Sequence, residues 1–69
     1  MPAMLIVLNG QSQEIPDGAT VADLVERQRP GGGACAVEVN RALTPRAVWK
    51  DHRLEPGDAV ELVTLVGGG

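Results

Sequence analysis

The sequence contains no phenylalanine and no tyrosine, and its one aromatic residue is Trp49. With only 69 residues, such a chain has to build a single small core from Val, Leu, Ile and Ala. There is one cysteine, Cys35, so no internal disulfide can form, and one histidine, His52, so no Cys/His spacing of a zinc site exists. A lone cysteine fits a reducing compartment, and the cytoplasm is the expected location. Basic residues are also few. Six Lys and Arg are scattered against nine Asp and Glu, leaving a net charge of −3. A nucleic-acid backbone is recognised through a basic stripe, so nucleic acid is not an expected partner. Long apolar runs are missing as well. Met4 to Leu8 has no basic lead and is cut short at Asn9-Gly10, so it resembles neither a signal peptide nor a span of about 20 apolar residues. No membrane partner is expected.

What the chain does have is an unusual end. Ala59-Val60-Glu61-Leu62-Val63-Thr64-Leu65-Val66 has strand composition, apolar and β-branched, with no Gly or Pro. It passes directly into Gly67-Gly68-Gly69, which carry no side chains. Glycine gives up the most conformational freedom on ordering and packs nothing in return. Three in a row suit a thread that enters a slot too narrow for any Cβ and carries a carboxylate to another protein. A frayed end is the plainer alternative.

The other elements follow from local pattern. Met4 to Leu8 is continuously apolar and reads as a strand covered on both faces. Asn9-Gly10 is a hairpin signal, because a type I′ turn needs two positive φ angles. Gln11 to Ile15 returns as a more polar edge strand, and Pro16-Asp17-Gly18 turns. Thr20 and Asp23 stand at N-cap and N3 of a short amphipathic helix with Val21, Leu24 and Val25 inward, ended by Pro30 and Gly31-Gly32-Gly33. That glycine run follows a helix instead of opening one and reads as a plain loop, not a phosphate cradle. Ala34 to Val39 is a third strand with Cys35, Val37 and Val39 on one face, and Cys35 reads as a small buried residue. Asn40-Arg41 turns into a short edge strand, Ala42-Leu43-Thr44. Pro45 to Trp49 forms a helical or 3₁₀ turn, with Trp49 plugging the edge of the core. His52 reads as a solvated surface residue, with no second group placed to partner it in catalysis. Glu55 to Asp58 turns into the last strand.

One helix covers one face of one sheet, so the order implies an α+β domain. The first and last strands are the most apolar and should lie adjacent at its centre. This is the β-grasp, or ubiquitin-like, arrangement, with a domain over residues 1–66 and a flexible glycine tail over 67–69. The last strand is apolar on both faces near its end, and a single helix leaves one face open. Val63, Leu65 and Val66 are therefore candidate partner-docking residues.

The segments IVLNG, GATVADLV, VEVNRALTPRAVW and GDAVELVTLVGGG, taken together and in order, resemble the ThiS family of small sulfur carriers of thiamine biosynthesis. Asn40, Pro45-Arg46, Trp49 and Gly68-Gly69 fall in register with that family. Thr44, where the family often has valine, and the loop at Gly31-Gly32-Gly33 depart from it. The resemblance implies a carrier with no catalytic residue, no metal ligand and no cofactor of its own. It implies that an E1-like, ThiF-like adenylating enzyme uses ATP and Mg²⁺ to activate the Gly69 carboxylate, while Gly67 and Gly68 thread that enzyme's active site. Sulfur from a donor such as a cysteine desulfurase then leaves a thiocarboxylate on Gly69, and a ThiG-like thiazole synthase collects it. MoaD-like carriers share the fold and the diglycine but tend to be longer and richer in Phe. Sulfur carriers of specialised metabolism would share the tail chemistry. A different class, the TGS-like binding module, resembles PDGATVADLV, but the acidic balance of the chain weighs against it.

Overall fold

Alternation of apolar side chains decides which side of each strand is buried. The computed structural model describes residues 2–31 and 33–65. Strand β1, Ala3–Leu8, buries Met4, Ile6 and Leu8 and turns Leu5 and Val7 outward. The expectation that this strand is covered on both faces is corrected: Leu5 remains 58% and Val7 37% exposed. Its composition is apolar throughout, but among the described residues a single α-helix, of eight residues, is available to cover the sheet.

β1 reverses at Asn9-Gly10, with φ of 49° and 83°, the two positive values a two-residue type I′ turn demands. β2, Gln11–Pro16, returns antiparallel in register from Leu8↔Gln11 to Ala3↔Pro16. Helix α1, Val21–Gln28, begins at a complete capping box. The Thr20 hydroxyl accepts from the Asp23 N–H at 3.2 Å, and the Asp23 carboxylate accepts from the Thr20 N–H at 2.9 Å. Aspartate thus serves at N3 as glutamate would, and a cap of this kind contributes about 1 kcal/mol. Val21, Leu24 and Val25 form the buried stripe of α1.

β3, Cys35–Val39, buries Val37 and Val39, while Cys35 is half-buried and packs against the core from its margin. Asn40 and Arg41, at φ 51° and 70°, turn the chain into β4, which is only Ala42–Leu43. Thr44, expected on that edge strand, lies just past it and is buried. The 3₁₀ turn Arg46–Val48 delivers Trp49 into the core, where its Nε1 donates to the Thr44 carbonyl at 2.7 Å. His52 is half-buried and not the solvated residue expected. Its backbone is engaged on both sides, the N–H donating to Val48 O and the carbonyl accepting from Val21 N–H. β5, Ala59–Thr64, completes one sheet of order β2-β1-β5-β3-β4. β5 runs parallel to β1 and antiparallel to β3, so the first and last strands are adjacent inside the sheet. Val66 and residues 67–69, where the sequence predicts the strand's end and a flexible tail, lie outside the described residues. Among the described residues no helix is long and apolar enough to cross a membrane.

Candidate functional site

α1 and the core occupy one face of the sheet, and the strand registers fix what stands on the other. Val7 pairs with Ala59 across β1 and β5, and Ala36 with Val63 across β3 and β5. Leu5, Val63 and Leu43 therefore lie on the open face, at 58%, 57% and 69% exposure. Leu65, just past β5, is 54% exposed. Of the three candidate docking residues, Val63 and Leu65 are on the surface as expected, and Val66 lies outside the described residues. Leu5 stands apart, beside Gly57 at the far end of the β1–β5 ladder, whereas Val63 and Leu43 line one depression, and exposed apolar groups gathered in this way mark interaction sites.

The charges on this face carry one sign. Glu14 stands opposite Leu5, and Glu38 stands directly opposite Glu61. None of the five strands contains a lysine or arginine. Like charges directly opposed across a ladder destabilise a sheet by a few tenths of a kcal/mol or more, so the pair is not there for the fold's benefit. Between them is a shallow depression of about 90 Å³ lined by Ala36, Glu38, Leu43, Glu61 and Val63. A larger hollow of about 400 Å³ opens at the start of α1, beside Asp17, Asp23 and Glu26. The Asp23 carboxylate there is already committed to the helix cap. Among the described residues no group of three His, Cys, Asp or Glu side chains could hold a metal ion.

The strand that leads toward the glycines is fastened by two asparagines whose side chains the sequence reading passed over. Asn40 Oδ1 accepts from Ala59 N–H at 2.9 Å, and its Nδ2 donates to Asp58 Oδ1 at 3.0 Å. Asn9 Oδ1 accepts from Leu62 N–H at 2.9 Å, and its Nδ2 donates to the Leu62 carbonyl at 3.2 Å. Both asparagines have positive φ, at 49° and 51°, and sequence pattern shows only that turn-forming role. Leu65 N–H donates to Ala34 O at 2.9 Å, holding the chain beside β3 past the end of β5. The residues predicted to carry the chemistry, Gly67, Gly68 and Gly69, lie outside the described residues.

A mixed sheet with a parallel central pair, one helix across one face, and a last strand that runs on toward a glycine-only end defines a β-grasp domain of the ubiquitin-like class. The chain belongs to the ThiS family, whose sequence profile matches residues 6–69. It is 35% identical over 68 residues to the sulfur carrier protein ThiS of Escherichia coli (strain K12), covering 96% of this chain and 100% of that one. A crystal structure of the thiamine biosynthesis protein ThiS from Geobacter metallireducens superposes with a TM-score of 0.79 at 25% identity, over 96% of this chain and 100% of the other. A protein named thiazole synthase, from Paramagnetospirillum magneticum (strain ATCC 700264 / AMB-1), is 29% identical over 66 residues, which are 96% of this chain but 20% of that protein.

Proposed function

We propose that this protein is a sulfur carrier of thiamine biosynthesis, a substrate of other enzymes and not a catalyst. The observation that carries the reading is the open apolar surface at Val63, near the end of β5, and Leu65, just past it, in the stretch of sequence that leads to Gly67-Gly68-Gly69. A docking patch placed at the root of a side-chain-free thread lets a partner hold the body and admit the thread. In this reading residues 1–66 are the body and 67–69 the thread.

A carboxylate resists substitution until it gains a good leaving group. The proposed partner is an E1-like adenylating enzyme. There the Gly69 carboxylate would attack the α-phosphorus of ATP, releasing pyrophosphate and forming an acyl adenylate, with Mg²⁺ balancing the phosphate charge as the enzyme's own requirement. A sulfur nucleophile then displaces AMP. With a persulfide donor, such as one charged by a cysteine desulfurase, a thiol must release the resulting acyl disulfide to leave the thiocarboxylate. Gly67 and Gly68 give the thread no side chain to clash with a narrow channel. Thiazole synthase is the proposed acceptor. A relative of that name bears a stretch like this chain along a fifth of its length, which supports the pairing. The cytoplasm, where Cys35 would stay reduced, is the proposed place of work. The acidic open face also disfavours an RNA-binding module, which would present basic residues there.

The test is the intact mass of the protein after incubation with a ThiF-like enzyme, ATP, Mg²⁺ and sulfide. One oxygen exchanged for sulfur, localised to Gly69, is the expected outcome, and deleting Gly69 should abolish it. Equal loading of a chain extended beyond Gly69 would refute the mechanism.

A further inference from the structure

The parallel ladder between β1 and β5 is short. Its register covers Val7↔Ala59 and Leu8↔Val60, and Asn9 N–H makes one further bond, to Val60 O at 2.9 Å. β1 then turns away through Asn9-Gly10 and has no residue left to offer β5. The Asn9 side chain fills the vacated rung. Its carboxamide presents the same donor and acceptor as a peptide group, and both engage the backbone of Leu62, 53 residues away. Beyond Leu62 the described strand is held from the β3 side, through Cys35↔Thr64 and the Leu65–Ala34 bond. Asn9 is thus the last point at which the tail-bearing strand is gripped from both sides.

The hairpin does not by itself require asparagine. Asp-Gly or Gly-Gly closes the same two-residue turn, but neither aspartate nor glycine brings a side-chain donor and acceptor together. We propose that Asn9 is a positioning residue for sulfur loading: its amide fixes the root of the tail relative to the docking face, so that the terminal carboxylate starts from a set point. This role rests on the carrier reading above. From Leu62 to Gly69 there are seven residues, a reach of at most about 25 Å. Without the clasp the two-sided grip retreats toward Val60. The thread's root then samples more positions, and fewer of them place the carboxylate for attack.

Asn9→Gly keeps the backbone free to adopt positive φ and removes the amide, while Asn9→Asp keeps the turn and the size but cannot donate to the Leu62 carbonyl. Two readouts are taken on the full chain: amide hydrogen exchange by NMR, and steady-state loading by a ThiF-like enzyme with ATP, Mg²⁺ and inorganic sulfide. For Asn9→Gly, Leu62 exchange should accelerate while the buried Val21 amide, which donates to the His52 carbonyl at 2.9 Å, stays protected, kcat should fall about tenfold, and KM for the carrier should stay unchanged. Asn9→Asp should also load below the wild-type kcat. Wild-type kcat in either variant overturns the positioning role, since a turn-forming asparagine is replaced well by aspartate. Unchanged Leu62 exchange in Asn9→Gly overturns the clasp itself. If the wild-type chain never loads, the carrier reading fails and this role falls with it, a result told apart from the others by the wild-type control.

Discussion

Val37 and Val63 offer the same side chain on opposite faces of one strand pair. Val37 is 1% exposed and Val63 57%. Replacing either with alanine removes two carbons, a transfer loss of about 1.6 kcal/mol when the side chain is fully buried. At Val37 the cavity left behind adds to this, for a total of about 2–3 kcal/mol. At Val63 less than half of the side chain is covered, so the loss scales to about 0.7 kcal/mol, and an open site leaves no cavity. At about 4–8 °C per kcal/mol for a domain of this size, Val37→Ala should lower Tm by about 10–20 °C and Val63→Ala by about 3–5 °C. Circular dichroism melts measure both. The functional arm uses Val63→Gln, which removes apolar surface without adding to the acidic charge of the face. Its KM for loading should rise about tenfold while the fold is retained. If Val63→Ala melts as low as Val37→Ala, the face is covered and the reasoning fails. If Val63→Gln loads with wild-type KM, the patch is not where the partner docks.

Trp49→Phe strips the donor from the buried Thr44 carbonyl and removes core volume, so a loss of about 2–4 kcal/mol in urea unfolding is expected; a loss under about 1 kcal/mol would show that Trp49 is not an anchor. Glu61→Gln relieves the opposed pair with Glu38 and should stabilise the domain by a few tenths of a kcal/mol at low salt, the gain shrinking at 1 M salt. A gain indifferent to salt would argue against like-charge repulsion. Cys35→Ala should leave loading untouched and lower stability by no more than about 1 kcal/mol, because the residue is only half-buried. Lost loading in a well-folded Cys35→Ala chain would give the thiol a part in the transfer.

Short-range features were legible from residues alone. Asn9-Gly10 announces its hairpin through the φ it requires, Thr20 and Asp23 announce the helix start, and the apolar content of β1 and β5 places them side by side at the sheet's interior. What could not be read was set by distant partners. Nothing local distinguishes Leu5 and Val7 from Leu8, and their exposure follows from the presence of a single covering helix. The Glu38–Glu61 opposition exists only once the β3–β5 register is fixed. The Asn9 and Asn40 clasps join residues 53 and 19 positions from their partners, whereas turn propensity is a property of two neighbours. His52 looked solvated because polar residues flank it, yet the chain there packs against the start of α1.

The placement of β5 has a bearing on how the protein is made. The strand that pairs with both β1 and β3 leaves the ribosome after both of them, and its contact with β1 closes a loop of about 50 residues. Non-local pairings of this kind form late and slowly. Until residues 59–64 emerge, the hairpin and the β3–β4 unit have no common neighbour, and Val60 is missing from the core. Nascent chains broken off before β5 should therefore remain open to proteases, and those that fold and persist will already bear the strand that leads into the glycines.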